Sequence, residues 1–213
     1  MALRVGVAAL AVGCSAALAL GSCSSGAEPT TAPSAASSQA LNEPLAGVEL
    51  PPDPLQPLVP QPDEVPGGMV PLLAASGSRD AEAIAAFSAD PAAAGQALAE
   101  HGFRSAYVAQ YAHPSDGRVL SVVVARFADA AGARADLDSD LAASSGDLVE
   151  LPTLGEASQL RRQPLPGEQP GELLTLRFRQ GVTTWLLAYG ARPTADPQLV
   201  AELARPLLDR TTS

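Results

Sequence analysis

The sequence predicts an α+β fold over residues 71–213: an antiparallel sheet built from two strand–strand–helix units, with helices covering one face. Three observations predict it. Two stretches, 103–127 and 174–189, alternate in hydropathy around turns that contain Gly, as β-hairpins do. Each is followed by an Asp that opens a run with apolar residues at helical spacing, the pattern of a capped amphipathic helix. And the stretch is one ordinary domain's worth of chain.

The elements follow in order. Residues 80–88 form a short helix, with Asp80 as N-cap and Ile84 and Phe87 as apolar anchors. Asp90-Pro91 starts a second helix, cap then Pro in the first turn, and His101-Gly102 stops it. Phe103, Ser105, Tyr107, Ala109 and Tyr111 then share one face of a strand. The turn chemistry of His113-Pro114-Ser115-Asp116-Gly117 returns the chain into residues 118–127, the most β-prone run. Asp129 caps a helix to about Ala142, striped by Ala130, Ala133, Leu137 and Leu141. Residues 149–151 and 158–162 read as short strands among several Pro and Gly. In the second hairpin Leu174, Leu176 and Phe178 alternate with Thr175, Arg177 and Arg179, Gln180-Gly181 makes the tip, and residues 182–189 return. A last helix starts near Asp196-Pro197 and buries Leu199, Val200, Leu203, Leu207 and Leu208. The order hints at two related halves.

Residues 23–70 read differently. Ser, Ala and Thr give way to a Pro-dense run, and no aromatic residue precedes Phe87. A segment so poor in large apolar groups is expected to stay a disordered, partly polyproline linker. Residues 1–22 carry one charge, Arg4, then an apolar run ending at Leu20. This is a signal peptide rather than a span, which needs ~20 strongly apolar residues. Its end, Leu20-Gly21-Ser22-Cys23, resembles the lipobox of bacterial lipoproteins. The resemblance implies a diacylglyceryl thioether on Cys23, cleavage before it, and a lipid anchor on the extracytoplasmic face of the cell membrane. Ordinary secretion through the Ala17-Leu18-Ala19 site is the rival reading.

Composition narrows the partners. The chain has two cysteines, Cys14 and Cys23, so no disulfide framework is expected. Formal net charge is −10; removing residues 1–22, whose one charge is Arg4, makes it −11. Nucleic acid is a poor partner for so acidic a chain. No zinc, phosphate-loop or calcium-loop motif occurs, so neither metal nor cofactor is expected. Asp136, Asp138 and Asp140 read as a solvated helix face. His101 reads as a helix-end residue favoured by the dipole. His113, Ser115 and Asp116 match triad residue types, but triad members come from separate elements, so a plain turn is expected.

The candidate binding surface is the second hairpin. Arg177 and Arg179 share an outward face and form a fork suited to an anionic envelope ligand or protein partner, unless Glu168, Glu172 or Asp196 pairs with them. Trp185 joins that face if it points outward and is a core residue if it points inward. Both faces of residues 182–189 are apolar, so alternation decides neither. The Gly-Phe strand, the VARFADAAGARADL run and the Gly-tipped hairpin resemble uncharacterised extracytoplasmic lipoprotein domains of high-GC Gram-positive bacteria. That resemblance implies a binding or sensing domain without enzymatic activity and brings no catalytic residues. A lipid or glycolipid carrier with an apolar cavity, and a hydrolase with an unrecognised site, are the alternatives.

Overall fold

The computed structural model describes residues 53–165, 167 and 169–211. The described residues form eight strands, the first two of them short edge strands, and four α-helices, in the order β1 (Val70–Pro71), β2 (Gly77–Arg79), α1 (Ala81–Ala85), α2 (Pro91–Glu100), β3 (Phe103–Ala112), β4 (Val119–Phe127), α3 (Ala130–Ala143), β5 (Asp147–Val149), β6 (Ala157–Pro164), β7 (Glu172–Gln180), β8 (Thr183–Ala191) and α4 (Pro197–Asp209). They build one antiparallel sheet in the order β1-β3-β4-β8-β7-β6-β5, with β2 also paired to β3. Each helix opens where its cap was legible: Asp80, Asp90, Asp129 and Asp196 all accept a backbone N–H of the first turn.

The two hairpins, β3–β4 and β7–β8, lie side by side because β4 pairs with β8. Period two then sorts the side chains across four strands. One face carries Tyr107, Ala109, Tyr111, Leu120, Val122, Val124, Leu174, Leu176, Phe178, Trp185, Leu187 and Tyr189, most of them nearly inaccessible. The opposite face carries Ala106, Val108, Ala125, Phe127, Arg177, Arg179 and Thr184. Phe103 departs from the expected alternation. A β-bulge between Phe103 and Ser105 turns the Phe103 ring to the opposite face, where it meets Phe127 edge-on at 5.9 Å.

Helices cover both faces, which corrects the single covered face expected from sequence. The amphipathic α4 lays Val200, Ala201, Leu203, Ala204 and Leu207 on the Leu176–Phe178–Trp185 face. The first three helices take the other face, where Leu98 and Ala133 pack with Ala106, Ala125 and Phe127. The α2–α3 corner is close because residue 132 is Gly: a Cβ there would sit 1.9 Å from the His101 carbonyl oxygen. The opposed helices also correct the idea of two related halves. An axis normal to the sheet would superpose the antiparallel hairpins but would leave α3 and α4 on the same side. The two strand–strand–helix units are therefore of opposite hand.

The expected linker needs the largest correction. Its first part, residues 23–52, lies outside the described residues. Residues 53–70 are packed, and the unit begins before residue 71. Leu55, Val59, Val65 and Met69 are buried in the main core, over the part of the sheet face that α4 leaves open. This strap, residues 53–69, joins no β-ladder. Domain side chains bind its carbonyl oxygens instead: the Trp185 indole N–H donates to Leu58 at 3.0 Å, and Arg210 donates to Pro57 and Val59 at 2.9 and 3.0 Å. The Tyr111 hydroxyl donates to Pro60, and Arg118 donates to Gly67 at 3.1 Å. Arg210 also pairs with Glu64. Burial alone would raise the Glu64 carboxyl, but the Arg210 guanidinium and the Gln61 N–H hold it below its ordinary range. Proline removes donors but leaves acceptors, so a Pro-spaced segment can be satisfied in this way.

Trp185→Phe keeps an aromatic ring in place but removes the indole donor and part of the buried ring. It is expected to cost about 1–3 kcal/mol in urea unfolding, because the Leu58 carbonyl then loses its partner in a largely dry site. A variant as stable as the wild type would show that this bond contributes nothing.

Candidate functional site

The three residues expected to share a surface are not brought together. Trp185 points inward, 2% exposed, stacked on Phe178 at 4.9 Å and 5°. Arg177 and Arg179 lie on the opposite face, as alternation requires, but α3 roofs that face. Arg177 Nε donates to Asp140 at 3.1 Å. Arg179 is 8% exposed, paired to Glu156 at 2.6 Å and donating to the Gly181 carbonyl at 3.0 Å. The Gly181 N–H and then the Arg179 charge hold the Glu156 carboxyl below its ordinary range. The internal pairing weighed from sequence is present, with other partners. Glu172 meets Arg162 at 3.6 Å instead, and Asp196 caps α4. Cys23 lies outside the described residues.

Under α3 sits a polar cluster that the sequence did not disclose. Asp136 and Asp140 are one helical turn apart and both face the sheet, so the three aspartates are not one solvated face; Asp138 alone pairs outward, 3.9 Å from Arg134. Asp136 approaches His101 Nδ1 at 3.8 Å and accepts from the Thr184 hydroxyl at 3.5 Å. His101 Nδ1 is buried with no hydrogen-bond partner among the described residues. Burial, and then the Asp140 charge, push the Asp136 carboxyl up to about 7, while Thr184 and Arg177 pull the other way. The available signal was the i, i+4 acid pair, but its partners come from β7 and β8.

The His113 turn has the atoms of a triad and the wrong wiring. Ser115 Oγ is 3.4 Å from His113 Nδ1 and Asp116 Oδ1 is 3.0 Å from the same nitrogen. A relay needs the nucleophile on one ring nitrogen and the carboxylate on the other. Here Nε2 packs against Gly68, where a Cβ would lie 2.3 Å away. Burial alone would raise Asp116, but the Arg118 hydrogen bonds and charge together keep it below the ordinary carboxylate range. The cluster fixes the turn and, through Arg118, the end of the strap.

The open concavity is elsewhere. A groove of about 620 Å³ runs beside the β5–β6 edge, lined by Leu148, Val149, Leu151, Pro152, Leu160 and Leu176, with Glu150, Ser158 and Gln159 as its polar members. It opens at the sheet's edge rather than between sheet and helices. Leu148 stands 64% exposed on the last strand. Its floor is apolar because Val149, Leu160 and Leu176 point to the same face across β5, β6 and β7. Nothing in the alternation of residues 148–160 marks a concavity, which depends on how residues 150–154 leave the sheet.

No family model matches this sequence, and no curated protein matches it. Among solved structures, the chain is similar to the extracellular domain of PknH from Mycobacterium tuberculosis, at 12% identity over 55% of this chain and 69% of that chain, with a TM-score of 0.45. At that score the likeness fixes neither fold nor function. Among the described residues no helix is long and apolar enough to cross a membrane.

Proposed function

We propose that the chain is a lipid-anchored extracytoplasmic envelope protein, held through Cys23, whose domain binds a ligand in the β5–β6 groove without chemical turnover. The observation that carries the binding reading is the groove itself: an open concavity with an apolar floor and polar groups along its walls is a form that small-ligand sites take. The surface expected on the hairpin does not support it, since both arginines are already neutralised by carboxylates. The anchoring reading rests on Leu20-Gly21-Ser22-Cys23.

Solvent extraction and mass spectrometry of the mature chain, purified from membranes, test the binding reading. A defined compound is expected with the wild type and several-fold less of it with Leu148→Glu, which places a charge at the groove without touching the core. Equal recovery from both, or none from either, overturns the reading. An acyl or glycolipid species would favour the carrier alternative. The anchor has its own test. Two acyl chains hold a protein at a bilayer where one does not, each buried CH₂ contributing about 0.8 kcal/mol. Cys23→Ser is expected to move the protein from the membrane pellet to the soluble fraction. Retention in the pellet would remove the anchor from the proposal.

A further inference from the structure

The strap and the face beneath it are ligand and receptor on one chain. The receiving face offers donors: the Trp185 indole, the Tyr111 hydroxyl, and the Arg118 and Arg210 guanidiniums. The strap offers Pro-spaced carbonyls and four apolar anchors, Leu55, Val59, Val65 and Met69. Aromatic and cationic donors thus meet the carbonyls of a donor-poor, proline-spaced segment that turns through a 3-10 helix at Gln56–Leu58 rather than running extended. No β-ladder ties the strap to the sheet until β1. Its last link is Gly67-Gly68, where Gly67 has open space around its Cα and Gly68 holds φ +83°, a conformation open to Gly and strained for other residues.

We propose that this face is an exchange surface, on which the strap of a second copy of the chain seats in place of the resident one. Every copy carries both halves of the contact, so exchange is reciprocal and closes as a two-fold dimer. The face, moreover, is incomplete without a strap from one source or the other. A short connection within one chain gives the resident strap an effective concentration on the order of millimolar. Exchange therefore becomes appreciable where copies are locally that dense. On a membrane this part of the inference rests on the anchoring proposed above. Residues 24–52 set the reach: covalent geometry limits them to roughly 100 Å, enough for two anchored chains to seat straps on each other.

Photocrosslinking of the mature chain tests the exchange. A photoreactive benzoylphenylalanine replaces Gln56, which is exposed on the strap, and equal amounts of unlabelled and ¹⁵N-labelled protein are mixed. One sample is held near millimolar concentration in detergent, the other in phospholipid vesicles. Crosslinks from the strap to peptides bearing Trp185 or Arg210 are expected to join one light and one heavy peptide in up to about half of cases. Purely single-isotope crosslinks in both samples, or mixed crosslinks that map elsewhere, overturn the proposal. Mixed crosslinks in detergent but not in vesicles leave exchange standing and remove the anchored arrangement. A second variant, lacking Gly67 and Gly68, denies the strap its path within one chain. It is expected to elute as a folded dimer, and a folded monomer overturns the proposal.

Discussion

A chain that begins at Met69 is expected to lose its cooperative unfolding transition. The strap places Leu55, Val59 and Val65 in the core beside Met69, and fully burying such a side chain contributes about 1.5–3 kcal/mol. Their removal would also bare the apolar sheet face at Tyr111 and Trp185 and leave their donors without partners. The summed loss is comparable with the whole stability of a domain, about 5–15 kcal/mol. Circular dichroism against temperature, for chains beginning at Asp53 and at Met69, checks this. Equal midpoints would show that the strap only rests on the sheet.

The second large effect concerns Asp136. Its carboxyl is pushed up to about 7 in the folded chain from an ordinary 3.8, so the folded state holds the proton more tightly than the unfolded one. Stability from this group therefore rises as pH falls from above 7 towards 4, and is lost as pH rises through 7. Between pH 8 and pH 5 the wild type is expected to gain about 2.5 kcal/mol in denaturant unfolding, each pH unit of difference counting about 1.4 kcal/mol. Asp136→Asn keeps the Thr184 contact, cannot ionise, and is expected to abolish that gain while stabilising the chain at pH 8. Glu64, Asp116 and Glu156, whose carboxyls are held low, act in the opposite sense but only below their ordinary range, outside this window. His101 faces Asp136 from the end of α2, and Arg177 and Thr184 face it from the sheet; all are retained in the variant, so the difference reads the carboxyl together with its coupling to them. A mutant with the wild-type pH slope would show that Asp136 is ionised in the folded state throughout.

How much of this was legible depends on how local each cause is. The four Asp caps, the two hairpins and the stripe of α4 are decided within a few residues, and each was visible in the sequence, although the second turn falls at Gly181-Val182, one residue later than the expected Gln180-Gly181 tip. The side of the sheet each helix takes is decided by chain connection and packing, so α3 and α4 on opposite faces could not be read from two similar patterns. Trp185 had no local arbiter, since both faces of β8 are apolar. Its pairing with Phe178 across the hairpin puts it on the core face, where its indole reaches the Leu58 carbonyl 127 residues earlier in the chain. Arg177 reads as exposed by alternation, yet its carboxylate comes from a helix that crosses above it. The strap misled for a related reason. Composition measures whether a segment can build its own core, whereas these residues complete one built by others.

Among the described residues, a pull on the chain N-terminal to Asp53 reaches the sheet through the strap. Tension applied there meets the Ser78–Asp53 hydrogen bond first, then the Arg210 and Trp185 contacts, and only beyond Gly68 the ladder of β1 on β3. A handful of side-chain bonds, loaded one after another, gives way at lower force than parallel strands sheared together. The strap is thus the first part to yield under load, and because it completes the core, its release is expected to loosen the sheet face lined by Tyr111 and Trp185 that it covers.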